Sequence, residues 1–187
     1  MKSHPTQWLL TALVAGMLAL EACEPVTGAP GTDAPSTPLP VTPGAGPVLG
    51  RRTKTSGCVS ANGLPDSTCT PGAIFPDATV AQICTPGYSS SVRNVPQYIK
   101  DKAYAEYGIA SHAPGEYEVD HLISLELGGS NAIANLWPEP ADPRPGFHEK
   151  DKVENYLHDQ VCSGKMSLAQ AQAQIATNWF AVYQTLP

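Results

Sequence analysis

Apolar residues recur at helical spacing in three stretches of the chain. Ile99, Ala103 and Tyr107 stand four positions apart, with Pro96 suited to a first helical turn and Gly108 to a C-terminal stop, so the spacing predicts a helix over 96–107. Val153, Leu157 and Val161 share a face and Gly164 closes the run, predicting a helix over 147–161. Leu168, Ala171, Ile175, Trp179 and Val182 line one side of a helix over 168–184, entered through a Ser167–Gln170 capping box. Between the first two helices the period changes. Tyr117 and Val119, then Leu122 to Leu127, predict two short strands or a strand and a loop, broken by Gly128-Gly129. Leu136-Trp137 restarts an apolar patch, and Pro138, Pro140, Pro143 and Pro145 predict a loop. Residues 57–92, rich in Gly, Pro, Ser and Thr, predict an irregular segment with one or two short strands.

The N-terminal pattern is different in kind. Residues 1–22 read as a lipoprotein-type signal peptide: Lys2 is a short positive region, and Trp8 to Leu20 is uncharged and mostly apolar. That run is shorter than the roughly 20 apolar residues a membrane-spanning helix needs. Leu20-Glu21-Ala22-Cys23 resembles a lipoprotein processing site, although Glu21 departs from the usual small or apolar residue. The expectation is cleavage before Cys23 and lipidation of it, giving a cell-envelope lipoprotein; ordinary cleavage, giving a freely secreted protein, is the alternative. Residues 23–50 alternate proline with Gly, Ala and Thr, carry almost no charge and have no apolar period. Such a segment cannot bury enough surface to offset its ordering entropy, and reads as an extended lipid-anchored tether. The folded domain is then 51–187.

Cysteine usage fits export. With Cys23 set aside, Cys58, Cys69, Cys84 and Cys162 remain, an even number that predicts two disulfides stapling the irregular N-terminal part of the domain. Three connectivities are open, and the reading leans to Cys69–Cys84 with Cys58–Cys162. No close Cys-x-x-Cys pair supports a zinc knuckle instead. The chain carries 11 Lys and Arg against 17 Asp and Glu, a net charge of −6, so it lacks the broad basic surface of a nonspecific nucleic-acid binder.

Candidate chemistry concentrates in Glu118-Val119-Asp120-His121, followed by Gly128-Gly129, Asn131, Asn135-Leu136-Trp137-Pro138 and His148. A carboxylate and an imidazole nitrogen can hold a hard divalent cation with open positions, and a second, neutral imidazole can take a proton from water near pH 7. In this order the residues resemble the HNH endonucleases of the ββα-metal class, in particular an exported branch. The stretches Cys69-Thr70-Pro71-Gly72-Ala73 and Ile83-Cys84-Thr85-Pro86-Gly87-Tyr88 are also similar to that branch, and the segment from His148 to Glu154 looks like its helix.

The resemblance implies an α+β fold: a ββα-metal core with additional helices and a disulfide-stapled irregular N-terminal segment. It implies a metal-dependent endonuclease, with His121 as general base, Asp120 and His148 as metal ligands, and Asn135 bracing the loop so that the imidazole is aimed. The implied cofactor is Mg²⁺ or Mn²⁺; the implied partner is nucleic acid, DNA in preference to RNA, with the membrane met through the lipid and no obligate protein partner. Two positions depart from the pattern: Ser124 stands where a proline is usual, and Lys152 where some relatives carry a second helix histidine. Glu118, Glu126, Asp151 and Glu154 read as surface, His112 and His158 as solvated, and Trp137 as core. The competing reading is a non-catalytic metal- or ligand-binding envelope lipoprotein built on a degenerate ββα module. A zinc hydrolase of another kind lacks the His-Glu-x-x-His helix that would define it.

Overall fold

The computed structural model describes residues 49–187. The expected signal peptide, the expected lipidation at Cys23 and the expected tether up to residue 48 lie outside the described residues. The elements are α1 (Val80–Ile83), α2 (Tyr88–Val92), α3 (Gln97–Glu106), β1 (Tyr117–His121), β2 (Leu136–Pro140), α4 (Phe147–Cys162) and α5 (Leu168–Tyr183), with single 3-10 turns at Leu125–Leu127 and Ile133–Asn135. The fold is mixed α+β, with a two-stranded antiparallel sheet and helices. Among the described residues no helix is long and apolar enough to cross a membrane.

The three long helices fall where the apolar period places them. Ser167 and Gln170 cap α5 reciprocally. Near its end Asn178 leaves helical geometry and its Oδ1 accepts from Ala181 N at 3.1 Å, so it caps a final turn of its own. The region after β1 is a 3-10 turn, not a second strand, and the second strand is the proline-rich stretch expected to be a loop. Pro138 and Pro140 sit opposite Val119 and Tyr117 in it. A two-stranded sheet has only edge strands, so a proline that cannot donate to the ladder is tolerated there. Within 57–92 the structure has isolated bridges and two short helices; α1 rests on a Thr79–Gln82 capping box too brief to show a period.

The main core joins α4, α5 and the turn after β1: Ile123, Leu127, Val153, Leu157, Val161, Ala171, Ile175 and Trp179 pack together with Ile83. Leu49 packs against this core from the far N-terminal side. Trp179 Nε1 donates to Gly63 O at 2.8 Å, tying α5 to the first loop. A smaller cluster of Ala103, Val119 and Leu136 seats α3 on the sheet. Trp137 is fully buried, as expected.

The disulfides are Cys58–Cys69 and Cys84–Cys162, which corrects the expected pairing. One closes the first loop; the other ties the end of α1 to the end of α4, a juxtaposition set by helix packing that spacing does not encode. Chain-entropy arguments weight the bond with the longer loop, here 78 residues against 11. Replacing both Cys84 and Cys162 with serine is expected to cost about 4 kcal/mol, against about 3 kcal/mol for the Cys58/Cys69 pair. Urea unfolding of the two double variants checks the order; equal losses would count against it.

Candidate functional site

The end of β1 carries the site. Asp120 and His121 pair with Trp137 and Leu136 of β2, and the chain then turns back under the strand. Gly129 makes that return: a Cβ there would stand 1.7 Å from Ile123 O, so no other residue fits without moving the backbone. Gly128, at φ +75°, supplies the left-handed residue that ends the 3-10 turn.

Asn135 locks the turn to the sheet. Its Oδ1 accepts from Ile123 N at 3.0 Å and Ala73 N at 3.3 Å, and its Nδ2 donates to Ile123 O at 3.0 Å and Ser130 O at 2.9 Å. Its own carbonyl accepts from Leu122 N at 2.8 Å. Every polar atom of this fully buried amide is satisfied, and the residues it holds directly follow His121. Asn135→Ala leaves several buried backbone groups unpaired, each costing about 1–3 kcal/mol. A loss of about 3 kcal/mol or more in thermal unfolding is expected, and a change below 1 kcal/mol would show that the network is dispensable.

His121 is 1% exposed. Its Nε2 lies 3.1 Å from Asn131 Oδ1. That amide is itself oriented, since Asn131 Nδ2 donates to Val92 O at 2.8 Å and Oδ1 accepts from Asn94 N at 3.2 Å. An acceptor facing Nε2 assigns the proton to Nε2 and leaves the lone pair on Nδ1, a buried atom with no hydrogen-bond partner in the protein. Burial is the largest influence on the imidazole and pushes its pKa down to about 4, against the opposing pull of Asp120 and Asn131. The ring is therefore neutral across the physiological range.

Beneath it lies a charged cluster centred on a residue the sequence reading passed over. Lys150, on α4, is fully buried. Its Nζ donates to Asp120 Oδ2 at 2.6 Å, to His121 O at 2.8 Å and to Glu154, and lies 4.0 Å from Glu139 Oε2. Three acceptors match the three donors of an ammonium. Burial alone would lower its pKa, but Asp120, Glu154 and Glu139 together hold it above the ordinary lysine value. Burial would raise Asp120 likewise, and Lys150 more than offsets this, leaving that carboxyl below its usual range. Glu139 receives no N–H or O–H donor, and burial pushes its pKa well above the ordinary carboxylate value. Glu154, expected from sequence to be surface, instead faces inward and accepts from Ser124 Oγ at 2.7 Å. Ser124 thus does a task that a proline could not: its hydroxyl holds Glu154 and caps the following 3-10 turn.

His148 sits on the exposed side of α4, two residues before Lys150. Among the described residues no group of three metal-binding side chains with converging ligand atoms includes Asp120 or His148. The charge of the site nevertheless suits a cation. Glu118 and Asp151 are both raised, first by burial and then by the neighbouring Asp120. Asp120 keeps 14% of its side chain exposed and offers Lys150 only one oxygen.

The one three-donor group among the described residues is elsewhere: Cys84, His158 and Cys162, with ligand atoms within 4.8 Å of one another. Its two sulfurs are joined as the disulfide, and His158, expected to be solvated, lies with Nε2 3.1 Å from Ile83 O and 3.4 Å from Cys162 Sγ. In comparisons with protein-family models, curated proteins and solved structures, no match to this chain was found.

Proposed function

We propose that this chain is a metal-dependent endonuclease of the ββα-metal type, hydrolysing phosphodiester bonds. The observation that carries the reading is His121: a neutral imidazole fixed through Nε2 by Asn131, with its Nδ1 lone pair unpaired. In this reading Nδ1 takes a proton from the water that attacks phosphorus, and the adjacent Asp120 carboxylate steadies the imidazolium that results. Asn131 prevents the ring from turning, and Asn135 fixes the backbone that follows it. Lys150, through the His121 carbonyl, fixes the end of β1. A divalent cation, Mg²⁺ or Mn²⁺, would be held by the Asp120 oxygen that Lys150 leaves free and by His148, and would supply charge neutralisation for the phosphate and the departing alkoxide. The strand, strand and helix order of β1, β2 and α4 supports the assignment; nucleic acid as substrate and an exported, lipid-anchored location belong to the same proposal.

Full-length protein incubated with supercoiled plasmid and Mn²⁺ or Mg²⁺ is expected to nick it, and a chelator to stop the reaction; intact plasmid in both salts would overturn the proposal. One observation favours the non-catalytic alternative, an envelope module that binds without cleaving: the Lys150 ammonium already occupies one Asp120 oxygen. Divalent-ion binding by calorimetry without any cleavage is the result that reading requires.

A further inference from the structure

The chain has few cations, yet two of them flank one cavity beside the site. Arg93 follows α2 and Lys100 lies on α3; both are exposed, and among the described residues neither is in an ion pair. They border a cavity of about 370 Å³ whose walls include Tyr104, Tyr117, Glu118 and Phe147. Ligand pockets begin at about 300 Å³, so the space suits one small planar ligand with its attached groups. The walls belong to the elements that build the site. Tyr117 and Glu118 open the strand that ends in His121, and Phe147 opens the helix that carries His148 and Lys150. Arg93 is near enough to act electrostatically on His121, Glu118 and Asp151. Lys100 and Tyr104 are one turn apart on α3 and so share a face. Tyr104 also borders a second cavity of about 670 Å³, where His112 stacks on it with ring centroids 4.4 Å apart.

We infer that this cavity is a nucleotide subsite for single-stranded nucleic acid, the phosphate lying against Arg93 and Lys100 and the base against the rings of Tyr104 and Tyr117. The inference rests on the hydrolase reading for its substrate class. The chemistry selects the occupant. Cations beside aromatic rings are the means by which single strands are held, because an unstacked base offers a face to a ring and its phosphate a charge to a side chain. A duplex keeps its bases stacked and is gripped along a broad basic face, which a chain of net charge −6 with two free cations at this place does not offer. Glu118 on the cavity wall accepts a hydrogen bond from an exocyclic amine or sugar hydroxyl. Tyr104, standing between the two cavities, lets the strand continue into the larger one.

Anisotropy titration of a labelled ten-nucleotide single strand, in chelator so that nothing is cut, tests this on the full-length protein. Arg93→Ala/Lys100→Ala is expected to weaken binding about tenfold and to lower the salt dependence by about 0.7, the value for one phosphate contact on a single strand. Tyr104→Ala is expected to weaken it about tenfold through lost stacking. The exposed charge variant is expected to keep the wild-type unfolding curve, so its loss reads as binding. Wild-type affinity in both variants, no binding by the wild type, or tighter binding of the matching duplex would each overturn the inference. In a parallel incubation with Mn²⁺ and no chelator, a strand that is bound as described but never cut overturns the hydrolase and leaves the subsite; cutting with unchanged binding in the variants overturns the subsite alone.

Discussion

Replacing Lys150 with methionine is expected to cost about 3–5 kcal/mol of stability, the range for breaking a buried ion pair from one side. The ammonium is fully buried and meets Asp120, Glu154 and the His121 carbonyl. Removing it leaves two carboxylates close together with Glu139 beside them, and like charges in a dry site cannot all ionise. The loss therefore comes from what the lysine leaves behind more than from the bond itself. Two outcomes follow. Lys150→Met alone unfolds at markedly lower denaturant, and the triple variant Lys150→Met/Asp120→Asn/Glu154→Gln recovers a substantial part of the loss, because the stranded charges are gone. A single variant as stable as the wild type would show that the cluster is not a buried ion network.

His121→Ala is expected to reduce phosphodiester cleavage by about 10²–10⁴-fold, the usual contribution of a positioned general base. The imidazole makes one hydrogen bond, to Asn131, and its other nitrogen makes none, so truncation removes the base without stranding more than a single acceptor. Asn131 retains Val92 O and Asn94 N as partners. The variant should therefore fold, and its rate reports chemistry.

The sequence made the helices and the site segment legible for different reasons. α4 and α5 announce themselves because Val153, Leu157, Ala171, Ile175 and Trp179 are buried at helical period. The Gly128-Gly129 break is readable because the backbone of Ile123 excludes a side chain at position 129. β2 was hidden by its prolines, which a two-stranded sheet tolerates on its edges. α1 and α2 are too short to show a period. The disulfide pairing depends on where α1 lands against α4, a tertiary fact.

Within the candidate site, the order of residues in the sequence pointed to Asp120, His121, Asn135 and His148, but not to the charged cluster around Lys150. Lys150 does leave a trace. It precedes Val153 by three and Leu157 by seven, so it falls on the apolar stripe of α4, and Glu154 follows it by four. A charge on a buried face asks for a partner, but only the fold shows that Asp120 supplies it. Ser124 reads as a departure from pattern, and gains its reason from the inward-facing Glu154.

The most direct measurement is plasmid nicking by the wild-type chain and by His121→Ala, side by side in Mn²⁺, with matched circular dichroism spectra showing that both are folded. The account predicts nicking by the wild type and a rate lower by two or more orders of magnitude in the variant. Equal nicking by the two proteins, or none by the wild type, would contradict it.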